Sequence, residues 1–510
     1  MQLRRVSQRT ASVATSIPAP VEGWDAISAQ ADMRPARAIV LENFFPEPGQ
    51  VRLRRGFSSH VTGMTGAVES LMTWNGGTSS KMFAAANNEI YDVTASGAVG
   101  SAAVTSLTNN RWQHINFGAG GGSYLVIANG ADSVRNYNGS AWSTPSITGV
   151  TSADLIHVMA HKRRLYFIKK NTLSVWYLGS AAISGAATEF PMEAVFRRGG
   201  HLMTFGSWSV DGGDGLDDMA VFITSEGEVA VYQGLDPGAS DWSLVGRYDI
   251  GAPIGRRSLL KVGGDLGVIT VDGFVPLSSV LQVDRAAVEK VSLSNRIKNA
   301  ANEAGRLYKD NFGWQAIGYP RGNWALFNIP VAETQTAHQY VMNILTGAWC
   351  KFTGINANCW EILNDMLYFG GNSGKVYLAD DGFDDDGAVR EGNIKTAFNY
   401  FGKRGQLKQF KLVKPIITSD AEVSPAVELN VNFEDRYPTA VPSTAGTSGP
   451  FWDEEDWDDV FWGGSADITQ AWTGVVGLGV CAAVRLRISS DSADIALAAF
   501  DVIYEPGGVF

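Results

Sequence analysis

Two histidines have a spacing that zinc enzymes use. His157 and His161 lie four residues apart, and on a helix this spacing places two imidazoles where one zinc ion can bind. Zinc proteases also carry a glutamate between the two histidines, and none lies there. The segment has the composition of a strand, on which this spacing does not form a zinc pair. We therefore interpret both histidines as structural.

Five aspartates lie close together and suggest calcium. They are Asp380, Asp381, Asp384, Asp385 and Asp386. A calcium loop of the EF-hand type needs an aspartate at its first position, where this chain has Gly382, and the later glutamate is misplaced. We expect a solvated linker here, with calcium binding as the alternative.

Other motifs of enzymes are incomplete. The segment 371–375 resembles a phosphate loop, but Phe369 stands where such a loop has its first glycine, so we interpret it as a hairpin. Gly118–Gly122 lacks the context of a dinucleotide site, and we interpret it as a turn between repeated units. No ordered Ser-His-Asp set and no matched carboxylates stand out. We therefore predict a protein that is not an enzyme, with no catalytic residues, metal or cofactor.

Aromatic residues provide the strongest candidate for a binding surface. The segment 451–462 contains five aromatic residues among six acids, and they are Phe451, Trp452, Trp457, Phe461 and Trp462. Exposed rings at this density are costly unless another surface buries them. We predict a subunit or partner interface, and the alternative is packing onto the chain's own repeats. Phe44 and Phe45 are adjacent rings in a predicted loop, and we place them in the same candidate interface.

Composition limits the class of protein. The chain has 510 residues, enough for more than one domain, and its net charge of −11 excludes DNA binding through bulk basicity. The three cysteines form neither a metal motif nor a disulfide framework. The N-terminus has no apolar segment typical of a secretory signal. The longest apolar run, 474–484, is too short to span a bilayer, so we predict no membrane span.

Seven stretches have the pattern of β-hairpins. Each has two apolar, strand-forming runs around residues that tolerate positive φ, such as Asn87-Asn88 and Asp272-Gly273. The stretches are 80–93, 124–137, 165–177, 220–232, 266–277, 340–352 and 366–378. The segment 313–352 contains four short strands in meander order. Such repetition predicts an all-β chain built around a β-propeller of about seven blades, with six as the alternative.

The remaining segments complete the predicted layout. We expect a flexible arm over 1–20, an extended segment over 21–50 that packs on another domain, and a propeller over 51–385. Residues 51–62 are predicted to be a strand that completes the last blade, and helical spacing indicates a helical insert over 284–305. A linker over 386–392 precedes an antiparallel β-sandwich over 393–510, whose long loop is 437–465.

The N-terminal sequence resembles a known family. The segments 19–27 and 38–49, followed by VRLRRGF over 51–57, look like the start of the tail nozzle proteins of short-tailed bacteriophages, also called hub or packaged-DNA stabilisation proteins. The propeller with one helical insert, the segment 339–352 and the final sandwich follow the same order.

The resemblance implies a structural role in the virion tail, after synthesis in the bacterial host cytoplasm. It implies a ring, expected to be a hexamer, below the portal and the head-to-tail adaptor. This ring would retain packaged DNA and carry spikes, fibres or a needle. Viral DNA would pass through without sequence-specific binding, and an acidic lumen would suit this passage. The alternatives are a propeller that binds or degrades carbohydrate, such as a tail-borne depolymerase, and a bacterial extracytoplasmic binding module.

Overall fold

The structure is a computed structural model that describes residues 11–211, 216–280, 292–438, 443–444, 467–469 and 471–509. The chain forms two compact units. The propeller unit contains Ser59–Tyr340 and Thr353–Ala379. The two-sheet unit contains Met1–Ser58, Val341–Phe352 and Asp380–Phe510. Among the described helices, none has the length and apolar character needed to cross a bilayer.

The first strands of the chain belong to the two-sheet unit. They are β1 (Val13–Pro18), β2 (Ala38–Glu42), β3 (Phe44–Glu47) and β4 (Gln50–Leu53). β1 pairs along its whole length with residues 499–504 near the chain's end. The predicted flexible arm over 1–20 is therefore wrong for 13–18, because the backbone there is hydrogen-bonded in a sheet. The segment 21–50 does not merely lie over a domain, since β2 and β3 are strands of its sheets.

The propeller unit is built from short antiparallel strands. Its first strands are β5 (Phe57–Thr62), β6 (Ser70–Asn75), β7 (Ser80–Ala86), β8 (Glu89–Asp92), β9 (Gly97–Ala98), β10 (Gln113–Ala119), β11 (Gly122–Ala128), β12 (Arg135–Tyr137), β13 (Trp142–Ser143), β14 (Ile147–Thr148), β15 (Leu155–His161), β16 (Arg164–Lys169), β17 (Ser174–Tyr177), β18 (Gly185–Ala186) and β19 (Thr188–Pro191). The strands that follow are β20 (Leu202–Asp211), β21 (Leu216–Thr224), β22 (Glu228–Gln233), β23 (Ser243–Asp249), β24 (Leu259–Val262), β25 (Asp265–Thr270), β26 (Gly273–Pro276), β27 (Gln315–Tyr319), β28 (Trp324–Ala332) and β29 (Thr336–Asn343). After β30 (Trp349–Phe352), which belongs to the two-sheet unit, come β31 (Cys359–Leu363), β32 (Met366–Gly370) and β33 (Val376–Ala379).

These strands form seven groups of hydrogen-bonded neighbours in chain order within the described residues, and each group is one blade. Blades 1 to 4 are β6–β8, β10–β13, β15–β17 with β19, and β20–β23. Blade 5 is β24–β26, and blade 6 is β27–β29, the first three strands of a nine-stranded sheet. Blade 7 joins β31–β33 to β5 and β9. The short strands β14 and β18 pair separately. Gly118–Gly122 is the turn between β10 and β11 inside blade 2, and not a turn between blades as predicted.

Side chains pack between successive blades all the way around. Phe83 of blade 1 packs in one cluster with Leu125 of blade 2, and comparable clusters join blades 2 to 3, 3 to 4 and 4 to 5. Phe274 of blade 5 stacks on Phe327 of blade 6 with ring centroids 3.9 Å apart. The Trp360 indole of blade 7 donates to Asn328 of blade 6, and Cys359 packs with Leu71 of blade 1. The unit is therefore a closed seven-bladed β-propeller.

The closing strand is shorter than predicted. The segment 51–62 is divided into β4, which belongs to the two-sheet unit, and β5, which lies beside β33 in blade 7. Strands from the two ends of the propeller unit therefore share one sheet, which leaves no open sheet edge between the first and last blades.

Helices are few among the described residues. They are α1 (Leu277–Val280), α2 (Lys298–Tyr308) and three short 3-10 turns at Ser152–Asp154, Asn295–Ile297 and Pro320–Gly322. The predicted helical insert over 284–305 lies partly outside the described residues, at 284–291. α2 continues three residues beyond the predicted end, and it buries Ala301, Ala304 and Gly305.

The two-sheet unit combines strands from three parts of the sequence. Its remaining strands are β34 (Arg390–Thr396), β35 (Gln406–Ser419), β36 (Ala426–Val431), β37 (Ser443–Thr444), β38 (Asp467–Thr469), β39 (Thr473–Gly479), β40 (Ala482–Ser490) and β41 (Ile495–Val509). One sheet has the order β3-β4-β41-β35-β38, to which β1 and β39 add. The other strands, β30-β2-β34-β40-β36 with β37, belong to the nine-stranded sheet that begins with β27. The sandwich predicted from 393–510 alone stays a prediction, since β1–β4 and β30 also enter these sheets.

The two sheets of this unit touch where glycines permit a close approach. A Cβ atom on Gly392 of β34 would lie 2.4 Å from the Phe44 ring, and one on Gly477 of β39 would lie 2.8 Å from Val431. The predicted linker over 386–392 is wrong at its end, because β34 begins at Arg390. The Arg390 side chain is fully buried and donates to the carbonyls of Arg54 and Ala493, at 2.6 Å each.

Candidate functional site

The predicted interface residues Phe44 and Phe45 are core residues. They lie in β3, not in a loop, and both side chains are buried, that of Phe44 with 0% exposure. Their assignment to a subunit or partner interface is therefore wrong, because the chain's own sheets already cover the rings. Sequence reasoning missed this because β3 pairs with β4, which in turn pairs with β41 from the far end of the chain.

The other five interface candidates lie outside the described residues. Phe451, Trp452, Trp457, Phe461 and Trp462 belong to the predicted loop 437–465, of which the structure describes only 437–438 and 443–444. The prediction of a subunit or partner interface for these residues stays a prediction.

The aspartates at 380–386 bind groups of the chain itself. Asp385 accepts two hydrogen bonds from the Arg54 guanidinium, at 2.8 Å and 2.6 Å, and Asp381 accepts one from the Ser58 hydroxyl at 2.6 Å. In the described ranges no three His, Cys, Asp or Glu side chains are grouped as a metal site would require. The cluster therefore contributes to a buried ion pair.

An enclosed polar site of the propeller unit lies where the first strands of its blades meet. The first strands of neighbouring blades contact one another there. A cavity of about 180 Å³ is lined by residues from the first strands of blades 1 to 6, including Gln113, His157, Thr204 and Gln315, and by the Arg256–Arg257 pair. A second cavity of about 300 Å³ shares Gln113 and both arginines. We call these two spaces together the axial cavity.

Arg257 joins blade 5 to blades 1 and 2 across the axis. Its guanidinium donates to the Glu69 carbonyl at 3.1 Å, the Ser70 hydroxyl at 2.6 Å and the Trp112 carbonyl at 2.9 Å. Burial lowers the pKa of Arg257 below its usual value. The planar fork of arginine suits several acceptors at once, so this side chain has a clear structural role.

Arg256 lies beside it and donates to two carbonyls of blade 4. Its Nη1 contacts the carbonyl of Leu202 at 3.3 Å and that of Met203 at 2.7 Å. Burial lowers the pKa of Arg256 to about 10, so the group remains charged at neutral pH. Sequence reasoning missed both arginines. The Arg-Arg pair lies directly before β24, which no sequence pattern predicted.

The wider end of the axial cavity is aromatic and charged. The Phe312 ring lies between two guanidinium groups, with Arg111 at 4.3 Å and Arg257 at 5.3 Å from its centroid. Arg111 also pairs with Glu69 at 3.0 Å and with Glu333 at 2.6 Å. Cation–π contacts and ion pairs together hold this end of the cavity in a fixed arrangement.

The histidines of β15 are buried and neutral. Burial, with a smaller contribution from the charge of Arg256, lowers the pKa of His157 to about 3. Burial lowers the pKa of His161 to about 4, and its Nδ1 lies 3.0 Å from the Ser207 hydroxyl. His157 lines the axial cavity, whereas His161 packs against Phe205 and Trp242. The two rings therefore lie in different surroundings, one at the cavity and one in an aromatic cluster.

Comparisons with known proteins give little further identification. No protein-family model matches the chain, and no curated protein matches it. YCF48 bound to D1 peptide is 11% identical with a TM-score of 0.39, over 64% of this chain and 97% of that one. The computationally designed Ika8 protein is 10% identical with a TM-score of 0.37, over 63% and 99%. BBS1N in complex with ARL6DN is 12% identical with a TM-score of 0.30, over 44% and 74%. Structural similarity with TM-scores this low does not support any assignment. The propeller assignment rests on the seven blades of the structure itself.

Proposed function

We propose that this chain is a structural subunit of the tail of a short-tailed bacteriophage. In this role it forms a nozzle or hub ring that extends the DNA-exit channel below the portal and adaptor, retains packaged DNA and attaches tail appendages. The resemblance of the segments 19–27, 38–49 and 51–57 to such proteins supports the proposal. So does the construction of the chain, because a closed propeller is a rigid body suited to repeated assembly.

The observation that carries the proposal is an exposed apolar row on β39. Val476 is 90% exposed and Leu478 is 59% exposed, while the alternate residue Val475 is buried. Trp472, just before the strand, is also exposed. β39 pairs with β35 along one edge, and no strand in the described part of the chain pairs with its other edge. An apolar, unpaired edge strand is a site at which another chain can add.

Charge favours a second copy of this chain as the occupant. Leu478 lies opposite Gln409, which lies opposite Glu505 in the same sheet. The neighbouring charges pair within the sheet, Lys411 with Glu505 at 3.8 Å and Lys414 with Asp501 at 3.1 Å. A face with apolar residues and internally paired charges suits a protein surface of similar composition, whereas a DNA backbone requires unpaired cations.

Native mass spectrometry tests the proposal. We expect the purified chain to form a closed oligomer with six times the subunit mass. The double variant Val476→Lys and Leu478→Lys should shift this population to monomers, because two ammonium groups cannot be buried in the contact. Its melting temperature as a monomer should be unchanged, since both side chains are exposed.

The matched control is the double variant Leu235→Lys and Leu345→Lys, which changes two exposed leucines elsewhere on the chain. It should assemble as the unchanged chain does. A chain that stays monomeric at every concentration would contradict the ring. Normal assembly of the β39 variant would show that the contact lies elsewhere.

A carbohydrate-binding or polysaccharide-degrading tail protein is the second candidate function. The axial cavity favours it, since enclosed polar sites with aromatic walls such as Phe312 and Trp314 are where propellers can bind small molecules. Release of sugar from host polysaccharide by the monomeric chain would support this function over the assembly role.

A further inference from the structure

Arg256 is a partly buried cation at the axial cavity, and no carboxylate pairs with it among the described residues. Its hydrogen bonds use Nη1 and two main-chain carbonyls, and no described acid lies within ion-pair distance of it. The nearby Arg111 differs, since it pairs with two glutamates. An arginine side chain has five N–H donors, so Nε and Nη2 of Arg256 retain donors that no described residue accepts. A partly enclosed charge that has no counter-charge is a favourable place for an anion to bind.

His157 is a second unsatisfied group of the same cavity. Its side chain is 6% exposed, and neither ring nitrogen makes a hydrogen bond of good geometry with a described residue, although the Phe205 main chain lies near the ring. The imidazole is neutral at physiological pH, so one ring nitrogen carries a proton to donate. Buried polar groups in proteins are nearly always hydrogen-bonded. Arg256 and His157 line the cavity of about 180 Å³ together with Gln113 and Thr204.

We propose that the axial cavity binds a small inorganic oxyanion of the phosphate type, with Arg256 as its counter-charge and His157 as a neutral N–H donor. The guanidinium fork matches the oxygen spacing of such anions. The cavity has room for a tetrahedral anion or several waters, since one water needs about 10–15 Å³ of such space. The inference does not depend on the proposed assembly role, because every lining residue belongs to the propeller unit.

The test is a melting-temperature titration of the full chain with inorganic phosphate, with sodium chloride at equal ionic strength as the reference. We expect saturable stabilisation beyond chloride, with a rise of roughly 2 to 4 °C at about ten times the dissociation constant. Arg256→Gln should abolish the response, whereas Arg164→Gln should retain it, because Arg164 pairs with Asp236 and does not line the axial cavity.

If Arg256→Gln does not fold, the same titration is performed with His157→Leu. Its phosphate affinity should fall roughly tenfold, because one hydrogen bond to a charged group is lost. Phosphate that stabilises no more than chloride would overturn the proposal. So would an undiminished response in a folded Arg256→Gln chain. Stabilisation by acetate but not by phosphate would overturn the assignment to a phosphate-type anion.

Discussion

Arg257 shows how one side chain can hold a ring of blades together. It follows a turn before blade 5, yet its guanidinium satisfies two carbonyls and a hydroxyl that belong to blades 1 and 2. These acceptors are enclosed, so water cannot easily replace the arginine. The contacts are distant in sequence, which makes Arg257 a tertiary link and not a local cap.

Replacing Arg257 should destabilise the propeller unit. We expect Arg257→Gln to lower the free energy of unfolding by about 3 kcal/mol, because three acceptors lose their donor. Arg257→Lys should recover little, since an ammonium group cannot reproduce the planar fork. Urea unfolding monitored by tryptophan fluorescence measures both effects. The exposed pair Arg198–Asp249 provides the control, and Arg198→Gln should change stability by less than about 0.5 kcal/mol. Equal losses in Arg257→Gln and Arg198→Gln would contradict this role.

The buried His157 should make stability depend on pH. Its pKa is about 3 in the folded chain against 6.5 for a free histidine, so between these values the unfolded state binds one more proton. Stability should therefore fall as pH falls from about 6.5 toward 3, by up to about 1.4 kcal/mol per pH unit for this residue. Above about pH 6.5 the contribution is constant.

The measurement is the difference in unfolding free energy between the unchanged chain and His157→Leu at pH 7, 6 and 5. The variant should lose less stability on acidification, because it lacks the titrating ring. Met159→Leu on the same strand is the control, and its unfolding free energy should change with pH as that of the unchanged chain does. Parallel pH curves for His157→Leu and the unchanged chain would show that His157 is not buried as a neutral ring.

The predicted hairpins depended on local chemistry, and this explains their success. Turn residues such as Asn87, Asn88 and Asn171 have positive φ in the structure, and seven predicted hairpins are hairpins. Pairings between distant segments could not be predicted in this way. β1 and β4 pair with β41 across more than 400 residues of sequence, and no local pattern indicates such a partner. The axial cavity was missed for the same reason, because its lining comes from six blades.

Strand β3 supplies a direct test of the corrected role of Phe44. Phe44→Ala should destabilise the two-sheet unit by about 3 to 5 kcal/mol, the usual cost of removing a buried ring. An interface residue would leave the monomer unaffected. Leu345→Ala is the control, since this leucine is 72% exposed, and it should cost less than about 0.5 kcal/mol. Limited proteolysis with mass analysis of the fragments measures the loss of stability, because a destabilised two-sheet unit should be cleaved faster in Phe44→Ala than in Leu345→Ala. Equal resistance of both variants would restore Phe44 as an interface candidate.

At the scale of the whole chain, each of the two units is closed by pairing between strands that are distant in sequence. The propeller unit closes on itself through β5, and the two-sheet unit combines both ends of the chain. Within the two-sheet unit, β1 and β41 pair with each other. The exposed row on β39 is the feature that points beyond a single chain.

Electron cryo-microscopy of the purified chain at high concentration tests the assembly role most directly. The proposal predicts class averages of closed rings with six-fold symmetry and a central opening, whose contact includes β39. Images that contain single chains alone, at concentrations well above those of the mass measurement, would contradict it.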